Sequence, residues 1–162
     1  MDWVDPEFQT RPSAWRRAVT AIVRPIQSAD AVHVLIISVG RYEDTKLDDL
    51  SGAAATAERL ADFWRHCTFA GGRTLGSLEM LVSHKTPLRM KLDDGTDQEI
   101  EAARHAPVGQ AIRDWASRCS TGAMGVIHWI GHGETTSKLD EADLSADQVL
   151  YTEDLDRFGD TV

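Results

Sequence analysis

The chain alternates between runs that are apolar on every side and stretches apolar on one side only. Val32 to Val39 reads VHVLIISV, β-branched and almost wholly apolar, and Gly40 closes it. A strand apolar on both faces belongs in the middle of a parallel sheet covered by helices. From about Gly52 to Cys67, residues Ala53, Ala57, Leu60, Trp64 and Cys67 recur at helical spacing, which predicts a helix with one buried stripe. Gly71 and Gly72 break the chain before a second predicted strand, Leu78 to Ser83 (LEMLVS). Pro107 suits the first turn of another helix, with Val108, Ala111, Ile112, Trp115 and Cys119 as its stripe. A third strand, Met124 to Ile130 (MGVIHWI), stops at Gly131-His132-Gly133-Glu134. The order strand, helix, strand, helix, strand, with crossovers long enough for parallel βαβ units, predicts an α/β three-layer sandwich with a mainly parallel sheet.

The remaining segments are polar or short. Residues 1–30 read as an extension with one short helix, capped by Ser13 and carrying Trp15, Ala18, Val19 and Ile22 on one face until Pro25. That face is expected to pack on its own domain, residues 31–162, rather than on a partner. Residues 41–49 (RYEDTKLDD) and 85–105 are expected as loops, the second turning helical near its end. Residues 134–162 hold nine acids against Lys138 and Arg157, and predict a solvated loop with a short helix at Thr152 to Phe158. Three parallel strands leave one sheet edge bare, and such edges are normally covered or extended. The domain is therefore expected to be incomplete at its C-terminal edge.

Composition narrows the function classes. The 162 residues are 42% hydrophobic and 27% charged, as in a globular domain. Seventeen Lys and Arg against 26 Asp and Glu give a net charge of −9, which argues against direct nucleic-acid binding. No apolar run approaches the roughly 18 residues that span a bilayer, so no membrane role is expected. The N-terminus lacks a secretory signal, and Cys67 and Cys119 form no CxxC pair, so a reduced, cytoplasmic protein is expected.

Sites in open α/β sheets form at the carboxyl ends of strands, here loops 40–49 and 131–138. In the second loop, His132 follows a buried strand that can hold it rigidly, and its ring is the natural general base near neutral pH. The flanking glycines are expected to let the backbone turn and to leave room for a substrate. In the first loop, Arg41, or the acids Glu43, Asp44, Asp48 and Asp49, can line a pocket, although a solvated loop is the favoured reading. His128 and His132, four apart on a strand, would stand about 13 Å apart, too far to share a zinc. His33 is expected as a hydrogen-bonded core histidine. No P-loop, GxGxxG or GxSxG pattern is present, and no cofactor is expected.

Three blocks between residues 32 and 158 resemble the caspase-like cysteine peptidases: caspases, metacaspases and their bacterial relatives. They are the strand 32–39 with its Gly40-Arg41-Tyr42 exit, the helix opening with Gly52, Ala57 and Leu60, and VIHWIGHGE. The resemblance implies a caspase-like fold and a cysteine endopeptidase with a Cys–His dyad. His132 would serve as base and then as acid, Gly133 N–H would contribute to the oxyanion hole, and Arg41 and Tyr42 would bind substrate. It also implies a protein or peptide substrate, a regulatory partner or fused domain, and an effector role in bacterial stress or phage defence.

Two departures qualify this. The family's nucleophile follows the next strand, beyond Val162, and Cys67 and Cys119 read as inert members of helix stripes. Leu50 and Ser51 stand where caspases hold the arginine for an aspartate, so cleavage after Asp is not supported; a basic preference, as in metacaspases, is the other option. The alternative is a catalytically inactive caspase-like regulatory or scaffolding module. A third is an unrelated flavodoxin-like binding domain, which a buried His132 would favour and an exposed one beside loop 40–49 would not.

Overall fold

The structure, a computed structural model, describes residues 20–23, 25–26, 28–92, 94–119, 122–136 and 147–154. In chain order the elements are β1 (Thr20–Val23), β2 (Ala31–Val39), α1 (Ala53–His66), β3 (Thr74–Ser83), β4 (Arg89–Lys91), β5 (Asp97–Glu99), α2 (His105–Cys119), β6 (Met124–Ile130), β7 (Gly133–Thr136) and β8 (Asp147–Leu150). A 3-10 turn at Ala70–Gly72 separates α1 from β3.

All nine residues of β2 are buried, which is what its unbroken apolar run requires of a central strand. The main sheet has the order β1-β3-β2-β6. Both β3 and β6 run parallel to β2, while β1 runs antiparallel to β3. Alternation along β2 then sorts its side chains into two cores. Val32, Val34 and Ile36 meet Ala54, Ala57 and Ala61 of α1. Leu35, Ile37 and Val39 meet Val108 and Ala111 of α2 on the opposite face. Fully burying one such aliphatic side chain is worth about 1.5–3 kcal/mol, so β2, buried along its whole length, is a major source of stability. The expected α/β class holds, as a mixed four-stranded sheet with a helix against each face.

Five local expectations change. Thr20–Val23 is a strand where the spacing of Ile22 predicts the end of a helix; the rest of that helix, 13–19, lies outside the described residues. Pairing with β3 overrides the local pattern, burying Thr20 and Ile22. The polar stretch after β3 folds into an antiparallel pair, β4 with β5, and β7 pairs with β8 in the acidic segment expected to be a loop. On α2, Val108 and Ala111 are buried, but Ile112 faces outward at 36% exposure. Residues 152–154 form no helix, and 155–158 lie outside the described residues. Among the described residues, no helix is long and apolar enough to cross a membrane, and no strand pairs with the outer edge of β6.

Candidate functional site

Two loops meet at the carboxyl ends of β2 and β6. The first begins at Gly40 and closes on itself: Leu50 N–H donates to the Gly40 carbonyl at 2.9 Å, and Gly40 N–H to the Ser83 carbonyl at 2.8 Å. Its own acids order it from within. Asp49 Oδ1 accepts the Tyr42 N–H at 3.3 Å, and Asp44 Oδ1 accepts the Lys46 N–H at 2.9 Å. A hydrogen bond from Lys85, then that of the Tyr42 N–H, holds the Asp49 carboxyl below its usual range. Asp49 and Asp44 are thus committed to shaping the loop.

His132 stands against this loop. Its N–H donates to Tyr42 Oη at 2.7 Å, and the two rings lie 5.0 Å apart, tilted by 41°. His132 Nε2 is 2.9 Å from the carbonyl oxygen of Asp48. A carbonyl can only accept, so Nε2 carries a proton, and in the neutral ring Nδ1 then presents a lone pair. The ring is half-buried, on the loop side rather than in the core. A ring with Nε2 tied to the backbone and Nδ1 without a partner among the described residues is the arrangement a general base needs.

The flanking glycines have a reason other than the expected one. Neither has a left-handed φ. A Cβ on Gly131 would meet Tyr42 Oη at 3.0 Å and Trp129 Nε1 at 3.1 Å. On Gly133 it would meet the Leu150 side chain at 3.1 Å and the Val149 carbonyl at 3.2 Å. Space, not turning, excludes side chains here: Tyr42 and β8 occupy it.

Tyr42 itself is buried, and burial raises its hydroxyl pKa, so it underlies His132 rather than lining an open pocket. Arg41 is exposed beside it, and Gly133 is exposed beside the histidine. His128, four residues earlier, is directed elsewhere: the Trp64 indole N–H donates to its Nε2 at 2.9 Å, on the α1 side. Burial lowers the His128 pKa, as fits a neutral acceptor. His33 is the expected core histidine, with Nδ1 2.9 Å from Ser77 Oγ.

The two cysteines sit at the far end of the domain. In βαβ units the helices return, so α1 and α2 finish near the amino ends of the strands. Cys119 packs against Gly125 at the start of β6, about 20 Å from His132 at roughly 3.3 Å per residue. Burial also raises its thiol pKa. Cys67 follows the last turn of α1.

A third segment, residues 151–154, has no signature in the sequence yet touches every loop of the site. Tyr151 N–H donates to the His132 carbonyl at 3.2 Å, Glu43 N–H to the Glu153 carbonyl at 2.8 Å, and Glu153 N–H to the Ala103 carbonyl at 3.2 Å. The Glu153 carboxylate is buried and accepts the Ser83 hydroxyl at 2.9 Å. Arg104 reaches Glu153 at 3.5 Å and Glu43 at 3.6 Å. Asp154 Oδ1 accepts the His105 N–H, at the start of α2, at 2.8 Å. Burial by itself pushes the Asp154 carboxyl up, but the His105 N–H, its own N–H and Thr152 together hold it below the usual range. The Tyr151 hydroxyl donates to the Glu134 carboxylate, which raises its pKa. Spacing could not reveal this segment, because its partners are main-chain atoms and side chains distant in sequence.

Two open clefts lie away from His132. One, of about 480 Å³, runs between the start of α1 (Ser51, Ala54, Glu58) and His84 to Arg89. The other, of about 490 Å³, lies by Arg65, His66 and Lys91. Compared with known proteins, the chain matches no protein-family model, no curated protein and no solved structure, so the site's own geometry has to carry the functional reading.

Proposed function

We propose that this chain is the histidine-bearing part of a caspase-like cysteine endopeptidase, with a caspase-like three-layer fold. The observation that carries the reading is the contact of His132 Nε2 with the Asp48 carbonyl, which leaves Nδ1 as the accepting nitrogen at the carboxyl ends of the strands. In this reading Nδ1 takes the proton of a cysteine thiol, and the thiolate attacks the scissile carbonyl carbon. The tetrahedral oxyanion is stabilised by Gly133 N–H and the N–H of the nucleophile itself. As the C–N bond breaks, Nδ1–H protonates the leaving amine, and water then hydrolyses the acyl-enzyme. The cysteine comes from outside these 162 residues, since Cys67 and Cys119 stand at the wrong end of the sheet. In this reading Arg41, exposed in the first loop, meets the substrate, and Tyr42 supports the histidine from beneath.

The half-exposed His132 beside the first loop favours this family over a flavodoxin-like binding domain. A cytoplasmic setting accords with two unpaired thiols. The effector role in stress or phage defence, and a regulatory partner or fused domain, rest on the resemblance alone.

The test is His132→Ala in the whole protein that supplies the cysteine. Peptide cleavage is expected to fall by about 10²–10⁴-fold, with the melting temperature little changed. Retained cleavage would overturn the assignment. The second reading, a catalytically inactive regulatory module, is favoured by the distance of both cysteines from His132. Absence of cleavage by the whole native protein, together with a native chain lacking any cysteine after a further strand, decides for it.

A further inference from the structure

We propose that Glu153 is a positioning residue for His132, setting which ring nitrogen carries the proton. The inference deepens the peptidase reading and rests on it for its functional meaning. A lone Nε2···carbonyl bond on a half-exposed ring fixes a tautomer only if the carbonyl itself is held still. The Asp48 carbonyl belongs to a nine-residue loop whose two ends are clipped at Gly40 and Leu50. Beside the bonds of Asp49 to Tyr42 N–H and Lys85, its other flank is anchored at Glu43 by Glu153, in two ways. Its carbonyl accepts the Glu43 N–H at 2.8 Å. Its carboxylate holds Arg104, whose guanidinium also pairs with Glu43.

Glu153 is in turn fixed to the sheet. Its side chain is 6% exposed and takes the hydroxyl of Ser83, the last residue of β3. The same Ser83 Oγ accepts the Ala103 N–H at 2.9 Å, and the Ala103 carbonyl accepts the Glu153 N–H. This closed circuit ties the segment to the rigid centre of the domain. Two residues earlier, Tyr151 N–H holds the His132 carbonyl. One short segment therefore grips both members of the pair, the main chain of the histidine and the loop that receives its Nε2–H. A buried carboxylate carries a desolvation cost unless its lone pairs are used. Here they are spent on a serine and an arginine that lead to the histidine.

The experiment is ¹⁵N NMR of the histidine rings in this chain at about pH 8, above the ordinary histidine pKa of about 6.5. It needs no peptidase activity, so it can fail while the His132→Ala result stands, and the reverse. In the wild type, His132 is expected to show Nε2–H and an unprotonated Nδ1. In Glu153→Ala the two nitrogens should share the proton, and Glu153→Gln, which keeps an acceptor for Ser83, should restore most of the original pattern. His128 serves as the internal reference, because Trp64 holds it independently of this segment. An unchanged His132 in Glu153→Ala, or a change in His132 and His128 together, overturns the proposal. If Glu153→Ala does not fold, Arg104→Ala decides by the same two outcomes, since Arg104 is 53% exposed and lies outside the core.

Discussion

Trp64 of α1 donates its indole N–H to Nε2 of His128 on β6, and this bond separates two histidines that the sequence sets only four residues apart. One is a structural acceptor beneath a helix and the other stands at the loop. Trp64→Phe should leave a half-buried imidazole nitrogen unsatisfied and cost about 1–3 kcal/mol in chemical denaturation. Under the peptidase reading proposed above, replacing His128 by Gln should leave peptide cleavage by the whole protein nearly intact, in contrast to His132→Ala. Equal loss in both variants would remove the distinction.

Burial lowers the pKa of both His33 and His128. The folded state therefore binds fewer protons on these rings than the unfolded chain does. The stability they contribute is fully present above the ordinary histidine value of about 6.5 and is lost as pH falls through their folded values. Melting temperature should decline as pH drops below that value. In a variant with both rings replaced by Asn, the decline should be shallower.

Glu79 of β3 and Arg118 of α2 form an ion pair with side chains only 7% and 11% exposed. Burial pushes the Glu79 carboxyl up, with Arg118 opposing. Removing one partner strands the other charge, so Arg118→Met should cost about 3–5 kcal/mol. Combining it with Glu79→Leu should recover a large part of that loss. A double-mutant cycle by urea denaturation measures the coupling, and simple additivity would show that the pair does not interact.

Tyr42→Phe removes the oxygen that accepts the His132 N–H, and should cost about 0.5–1.5 kcal/mol. Amide exchange at His132 should quicken more than exchange elsewhere in the strand. Gly131→Ala forces a methyl against Tyr42 Oη and Trp129 Nε1 and should cost about 1–3 kcal/mol. A Gly131→Ala protein as stable as the parent would mean that this contact yields without strain.

Much of the central architecture was legible because it is a matter of periodicity. The unbroken run at β2, the stripes Ala53-Ala57-Leu60-Trp64 and Val108-Ala111-Trp115, and the stop at Gly131 each state their own surroundings. β1 was not legible, since four residues with Ile22 among them fit a helix as well as a strand until β3 is there to pair with. Met90 and Gln98 give β4 and β5 no apolar alternation to read. His132 could be found from its strand and its glycines. The Asp48 carbonyl that orients it could not, because every residue has a carbonyl. Glu153 was hidden for a related reason: one acid among nine, its role set by Ser83, Arg104 and Glu43 arriving from elsewhere.

The two borders of the main sheet are unequal. β1 is four residues long and irregular between Ala21 and Val23, and a bulged, short border resists accretion of another chain. β6 offers seven residues in even register with β2, with Met124 51% and Ile127 38% exposed. Among the described residues the sheet is thus open on the β6 side, and the strand at that open edge is the one that delivers His132. A strand added along β6 would run beside the strand that leads to His132 and would cover part of the exposed Met124 and Ile127. In such a fold, gaining hydrophobic stability and gaining a neighbour for the histidine's strand are a single step.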